Sequence, residues 1–249
     1  MDISEHIAAV RAEGDLMAGV LGTVDIETPV PTCPDWVVRD LVKHLGGVHR
    51  WATAFVKGGL TGPGDVNFDE LMASFPDDPG VLDWFVDGHA ALVHALETAS
   101  PDVACWTFMP APSPLSFWAR RQSHETAIHR VDAQLAAEVA PSGCEPSFAA
   151  AGIDEFLTGF ITRHKVEADA GPSSVEVRCN DVEANWLVRV DPSGVTTERG
   201  GGTGDCTVSG SASDLFFTLW NRRAASGLRV EGDEAALRMV LGVARVRWV

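Results

Sequence analysis

The sequence predicts an α+β protein, in which a four-helix bundle precedes a smaller domain of mixed helices and strands. Two observations support this prediction. Apolar residues recur at helical spacing in four segments up to residue 138, whereas short β-like runs appear only from residue 174 onward. A turn-forming sequence, Ala140-Pro141-Ser142-Gly143, lies between the two parts. We therefore expect a helical domain over residues 1–142 and an α+β domain over residues 143–249.

Four amphipathic segments in the first part predict helices at about residues 3–22, 36–57, 81–99 and 116–138. Three prolines within residues 28–34 end the first helix, and Asp35 or Thr32 could cap the second. Residues 58–80 are rich in Gly, Pro and Asp, which predicts a long loop. Four such helices with two long connections suggest an antiparallel bundle, and bundle cores commonly hold metal ions between facing helices.

The second part of the chain shows a different pattern. A predicted helix at about residues 147–168 precedes short β-like runs at 174–178, 186–190, 195–198 and 206–208. Ser211 and Asp214 have the spacing of a capping box that opens a helix to about Ala225. A further strand covers residues 228–231, and Asp233 caps the last helix. Helices and short strands in this order predict an α+β domain.

Composition and charge restrict the classes of partner. The chain has 35 acidic residues against 19 Lys and Arg, and its net charge is −16. This balance argues against nucleic acid and anionic membranes as partners, because phosphate binding needs clustered positive charge. No stretch approaches the ~20 apolar residues of a membrane span, and the N-terminus lacks the basic and apolar regions of a signal peptide. Five cysteines are scattered without CxxC spacing, so we expect a reduced, cytoplasmic protein.

Glu125 and His129 are the most informative pair of residues. They are four apart in the last predicted bundle helix, so they share one face and can bind one metal ion. His44 of the second helix is a third candidate, and two histidines with one glutamate and an open fourth position form a known catalytic zinc set. Taken alone, this spacing is more often a hydrogen-bonded pair at the surface. The apolar residues Ile128 and Val131 beside the pair favour an inward orientation.

Three polar residues near these candidates have open interpretations. His49 is about 140° around its helix from His44, which predicts a surface or partly buried position. Asp132 could orient one of the candidate imidazoles or pair with Arg130. Asp40 could likewise orient an imidazole, or it could favour the N-terminus of its helix.

Two segments carry a family resemblance. Residues 34–45, PDWVVRDLVKHL, resemble the signature PxWxVRDLxxHL of the mycothiol-dependent maleylpyruvate isomerase family, and residues 124–133, HETAIHRVDA, resemble its signature HExxxHRxDA. Three further segments within residues 210–233 resemble the C-terminal domain of that family: GSASDL, LWNR and VEGD. The likeness therefore covers nearly the whole chain, in order.

The resemblance implies a DinB-like four-helix metal domain followed by an α+β domain similar to sterol carrier proteins. It also implies that His44, Glu125 and His129 hold zinc or another divalent metal, and that mycothiol is the thiol cosubstrate. An arginine of the C-terminal domain is implicated in binding an anion. Arg222 is the best match, with Arg223 beside it.

We therefore expect a zinc-dependent enzyme that activates mycothiol as a thiolate. The reaction would be maleylpyruvate isomerase-like cis–trans isomerisation or S-transfer to a small, acidic electrophile. Arg222 or Arg223 would reach toward a metal that faces a cleft between the two domains. The alternative is a non-catalytic carrier, with or without metal, whose C-terminal domain binds an apolar ligand. The complete ligand set favours the enzyme, and metal content distinguishes the two hypotheses.

Overall fold

The computed structural model of the protein describes residues 1–166 and 171–243 and divides into two compact units, Met1–Ser142 and Gly143–Val249. The first unit is helical, and the second combines helices with a five-stranded sheet. The predicted α+β class is therefore confirmed. No helix within the described ranges has the length and apolar character needed to cross a membrane.

Four long helices and one short helix form the first unit. They are α1 (Ile3–Leu21), α2 (Val38–Gly58), α3 (Phe68–Met72), α4 (Val81–Thr98) and α5 (Pro114–Ala136). The prediction of a continuous loop over residues 58–80 is wrong at α3. Asn67 opens this short helix because its side chain accepts hydrogen bonds from the backbone of Asp69 and Glu70.

The start of α2 also differs from the prediction. Neither Asp35 nor Thr32 caps this helix, because Val37 occupies the N-cap position and its N–H donates to the carboxylate of Asp40 at 3.0 Å. Asp40 therefore stabilises the helix N-terminus, which was one of its two interpretations. At α5 the cap is Ser113, whose hydroxyl accepts from the backbone of Ser116.

The long helices surround one apolar core and do not alternate strictly in direction. α5 contacts α1, where His6 meets Ser123 and Glu13 meets Arg130, seven residues further along both helices. α1 and α5 therefore run parallel, and the predicted antiparallel arrangement is wrong for this pair. The core lies mainly on α1, α2 and α4, and its most buried large members are Met17, Val38, Leu41, Leu45 and Phe85.

α2 and α5 are antiparallel neighbours, and this pairing positions the candidate site. His44 lies 3.3 Å from Glu125, and the rings of Trp51 and Trp118 are 5.3 Å apart. Trp51 comes seven residues after His44, whereas Trp118 comes seven residues before Glu125. The two contacts are therefore about two turns apart on each helix. They follow the chain forward along α2 and backward along α5, so the two helices are antiparallel.

The second unit contains the sheet. Its strands are β1 (Ser173–Cys179), β2 (Asn185–Asp191), β3 (Gly194–Arg199), β4 (Cys206–Gly210) and β5 (Arg229–Gly232), arranged in the order β3-β2-β1-β4-β5. β1 and β4 pair in parallel, and the other neighbours are antiparallel. In the centre of the sheet, buried Val177 pairs with Trp186 on one side and Val208 on the other.

In the described part of the second unit, three helices accompany this sheet: α6 (Pro146–Glu155), α7 (Ala212–Leu219) and α8 (Glu234–Val243). The predicted helix at 147–168 corresponds to α6 with one π-turn and one 3-10 turn, which end at Arg163, and residues 167–168 lie outside the described ranges. The prediction that α7 extends to Ala225 is wrong. Asn221 has a left-handed backbone with φ of 63°, a conformation that ends a helix.

Candidate metal centre

Three side chains of the first unit converge on one point. The Oε1 atom of Glu125 lies 3.3 Å from Nε2 of His44 and 3.3 Å from Nε2 of His129. One ligand atom from each of the three residues lies within 4.8 Å of the other two. The structure thus brings together the three residues that the sequence analysis predicted as metal ligands. The His44 side chain is 18% exposed and the other two are buried, so His44 is the member of the cluster that is partly exposed to solvent.

Most of α5 is buried, and this burial places the cluster in the interior. All residues from 121 to 134 are buried, although most of them are polar or charged. Buried polar groups need partners, and α5 obtains them from α1, α2 and the segment before α2. The Glu125 and His129 pair is therefore internal, and the surface explanation of its spacing does not apply.

Asp132 orients the ring of His129. Its Oδ2 atom lies 2.8 Å from Nδ1 of His129, and its Oδ1 atom accepts a hydrogen bond from the hydroxyl of Thr32. When the proton is on Nδ1, the Nε2 atom of the neutral ring keeps a lone pair. This tautomer can bind a metal through Nε2. Asp132 therefore orients an imidazole, which was one of its two interpretations, and Arg130 forms an ion pair with Glu13 at 2.7 Å.

Arg121 is a member of the site that the sequence analysis did not identify. Its Nη2 atom donates to Oε2 of Glu125 at 2.7 Å, and both side chains are buried. The available signal was the spacing of four residues between Arg121 and Glu125, which places both on one helix face. That spacing is also typical of ion pairs at the protein surface, so it does not single out a buried site.

The pKa values fit a site that presents a carboxylate and a neutral imidazole. Burial opposes ionisation of Glu125, but the Arg121 charge and hydrogen bonds from the two histidines hold its pKa well below the usual range. Burial lowers the pKa of His44, which favours its neutral form. Burial also acts against protonation of His129, but hydrogen bonds to Asp132 and Glu125 outweigh it and raise the pKa.

The donor set also fits a divalent metal. Two imidazole nitrogens and one carboxylate oxygen match the composition of three-residue zinc sites that keep a fourth position for water or substrate. The indole of Trp36 packs beside this set, with its ring centroid 5.1 Å from that of His44 and 6.4 Å from that of His129. Trp36 therefore forms an apolar wall next to two of the three ligands.

His49 lies deeper in the bundle than its sequence position predicted. The prediction of a surface or partly buried histidine is wrong, because the ring is completely buried and its Nε2 atom lies 3.0 Å from the hydroxyl of Thr126. α2 contacts both α4 and α5, so more than one face of this helix is covered. Burial lowers the pKa of His49 well below its usual range.

Arg222 and Arg223 occupy different environments in the second unit. Arg222 is only 8% exposed, and its Nη1 atom donates to the backbone oxygen of Trp220 at 2.8 Å. Arg223 is exposed and forms an ion pair with Asp214. Arg222 is therefore not a solvated residue at a helix end, and its role toward a substrate stays a prediction.

Comparisons with known proteins agree with this architecture. Residues 7–134 match the family model described as "Mycothiol maleylpyruvate isomerase N-terminal domain", and residues 147–238 match the model described as "MDMPI C-terminal domain". A comparison with curated protein sequences gives no significant match.

Two similar solved structures are described as the mycothiol-dependent maleylpyruvate isomerase and a variant of it. Their TM-scores are 0.64 and 0.63, their sequences are 16% and 15% identical to this chain, and each match covers 93% of both chains. At this identity the likeness shows the fold, a helical domain followed by a small mixed-sheet domain. With one family model matched in each unit, this chain belongs to the mycothiol-dependent maleylpyruvate isomerase family.

Proposed function

We propose that this protein is a zinc-dependent enzyme that activates the thiol of mycothiol for reaction with a small, acidic electrophile. The observation that carries the proposal is the convergence of His44, Glu125 and His129, whose ligand atoms lie within 4.8 Å of one another. Family membership and the two solved relatives, which are described as mycothiol-dependent, support the choice of thiol.

The residues of the site divide the work between them. His44 and His129 would present Nε2 atoms to the metal, and Glu125 would present Oε1. The pKa of a free thiol lies near ~8.5. When bound, zinc supplies a positive charge that lowers the pKa of a thiol in its open position. Asp132 keeps the Nδ1 proton on His129, so that Nε2 continues to face the cluster.

Arg222 would bind an acidic group of the second substrate. Its guanidinium is planar and permanently charged, which suits a carboxylate, and its burial reduces competition from water. We prefer it to the exposed Arg223 because Arg222 is the arginine that matches the family's LWNR segment. Isomerisation would release mycothiol unchanged, whereas S-transfer would leave its sulfur attached to the product. Both reactions need the same thiolate.

The test is incubation of the zinc-loaded protein with mycothiol and candidate electrophiles, including maleylpyruvate, followed by mass spectrometry. A lasting thiol adduct identifies an S-transferase, and unmodified thiol with an isomerised substrate identifies an isomerase. His129→Ala should abolish either product, and Arg222→Ala should weaken the use of acidic substrates. Full thiol-dependent activity in the His129→Ala variant would contradict the metal mechanism and favour the non-catalytic carrier.

A further inference from the structure

The two carboxylate oxygens of Glu125 have different surroundings. Oε1 lies 3.3 Å from the Nε2 atoms of both His44 and His129, whereas Oε2 accepts a hydrogen bond from Nη2 of Arg121 at 2.7 Å. The Arg121 and Glu125 side chains are only 3% and 4% exposed. One oxygen therefore belongs to the ligand cluster, and the other is held by a buried cation.

We infer that Arg121 is a positioning residue that restricts Glu125 to a single metal-ligating oxygen. This inference rests on the proposed metal site. A carboxylate can bind a metal through one or both oxygens. If Oε2 of Glu125 also bound, it would compete for the fourth position, which a thiol needs. Arg121 prevents this rotation because a charge-assisted hydrogen bond between buried groups is costly to break.

The charges of the site support the same role. The buried charges joined by these contacts are two carboxylates, Glu125 and Asp132, and one guanidinium, Arg121. The guanidinium adds one positive charge to that of a divalent metal, and both favour the entry of a thiolate. Without the guanidinium the loaded site would be one charge less positive, and a thiolate would gain less from entering it.

The experiment compares cobalt-loaded wild-type protein with Arg121→Met, which is similar in length but has neither charge nor donor, and with Arg121→Lys, which keeps both. Arg11→Met is the matched control, because Arg11 forms an exposed ion pair with Glu97. Cobalt absorption reports the coordination sphere, cobalt titration gives the metal affinity, and the sulfur-to-cobalt charge-transfer band reports mycothiol binding.

We expect Arg121→Met to bind cobalt at least as tightly as wild type, with an altered absorption spectrum. It should need at least about tenfold more mycothiol for half-maximal charge-transfer absorption, the equivalent of one charge-assisted hydrogen bond. Arg121→Lys and Arg11→Met should resemble wild type. A residue with only a structural role would instead weaken cobalt binding and leave the spectrum of the bound metal unchanged.

An unchanged spectrum and mycothiol affinity in Arg121→Met would overturn the inference while leaving the metal site intact. Absence of cobalt binding by the wild type would overturn the proposed function as well. If Arg121→Met does not fold, a crystal structure of the zinc-loaded wild type decides. Only Oε1 of Glu125 should lie within the ~2.0–2.2 Å of a zinc–oxygen bond, and two bound oxygens would refute the role of Arg121.

Discussion

Asp132 is the residue on which the orientation of the His129 ring depends. One of its oxygens contacts His129 Nδ1 at 2.8 Å, and the other accepts the Thr32 hydroxyl. The Cys33 thiol lies 3.6 Å from the same carboxylate. Two residues of the segment before α2 thus fix a carboxylate of α5, and that carboxylate fixes the imidazole of His129. Each contact removes a rotation that metal binding would otherwise have to arrest.

We expect Asp132→Asn to weaken zinc binding by about 10–100-fold, the usual effect of losing a carboxylate that orients a ligating histidine. The amide keeps the volume of the side chain but lacks its negative charge. Competition with a chelator of known affinity measures the change. Asp15→Asn, at an exposed position of α1, is the control. Equal zinc affinity in Asp132→Asn and wild type would show that Asp132 does not support the site.

His49 should make the stability of the zinc-free protein depend on pH. Burial lowers its pKa well below 6.5, so the folded protein keeps this ring neutral. Below pH ~6.5 the unfolded chain takes up a proton that the folded chain does not, and the free energy of unfolding decreases as the pH falls. The slope from this one group approaches about 1.4 kcal/mol per pH unit.

Urea denaturation at a series of pH values tests this dependence. His49→Gln should be less stable near pH 7, because the contact with Thr126 is altered, but it should lose less stability between pH 6.5 and 5 than wild type. His94→Gln changes an exposed histidine and should keep the wild-type slope. A parallel loss of stability in His49→Gln and wild type would mean that His49 is protonated in the folded protein.

Among the elements, α2 and α4 approach closely at Gly46. A Cβ atom added there would lie 2.2 Å from Cζ3 of Trp84. The indole cannot move away easily, because Arg50 stacks 3.6 Å above its ring and Ser74 accepts a hydrogen bond from its Nε1 at 3.0 Å. The glycine therefore sets the distance between these two helices.

Gly46→Ala should destabilise the protein by about 1–3 kcal/mol, the usual cost of overpacking a core. Gly19→Ala provides the opposite case within a neighbouring helix, because an added Cβ would meet no atom within 4 Å apart from the local backbone of its own helix and its chain neighbours. It should stabilise by about 0.5–1 kcal/mol, since alanine loses less conformational entropy than glycine on folding. Thermal unfolding of both variants measures the difference, and equal effects would contradict the close approach at Gly46.

The sequence predicted the long helices well because their apolar residues recur regularly, and the observed ends lie within a few residues of the predicted ones. The prediction failed where contacts between distant parts of the chain determine whether a side chain is buried. The angle of about 140° between His49 and His44 predicted a surface or partly buried position for His49, but Phe85 and His89 of α4 pack against its ring. Arg121 was missed for a related reason: its helical spacing to Glu125 is visible in the sequence, whereas its burial is visible only in the folded structure.

At the scale of the whole molecule, the candidate metal site joins parts of the chain that are distant in sequence. His44 and Glu125 are separated by 81 positions. A metal bound by both would cross-link α2 to α5 in the folded state and would have no such site in the unfolded chain.

The net charge of −16 complicates measurements of metal binding, because an acidic surface attracts divalent cations without specific ligands. A variant that lacks one ligand must therefore accompany every zinc experiment.

Zinc should protect α2 and α5 from hydrogen exchange more than it protects α8. A ligand that binds only the folded state adds about 2.7 kcal/mol at a free concentration one hundred times its dissociation constant, and this gain opposes the openings that break the site. Hydrogen–deuterium exchange with and without zinc measures the protection of peptides from each helix. His129→Ala should lose the difference in α2 and α5 and keep any weak effect of cations on the surface. Equal protection of all helices in both proteins would mean that zinc binds to the acidic surface and that His44, Glu125 and His129 do not hold it.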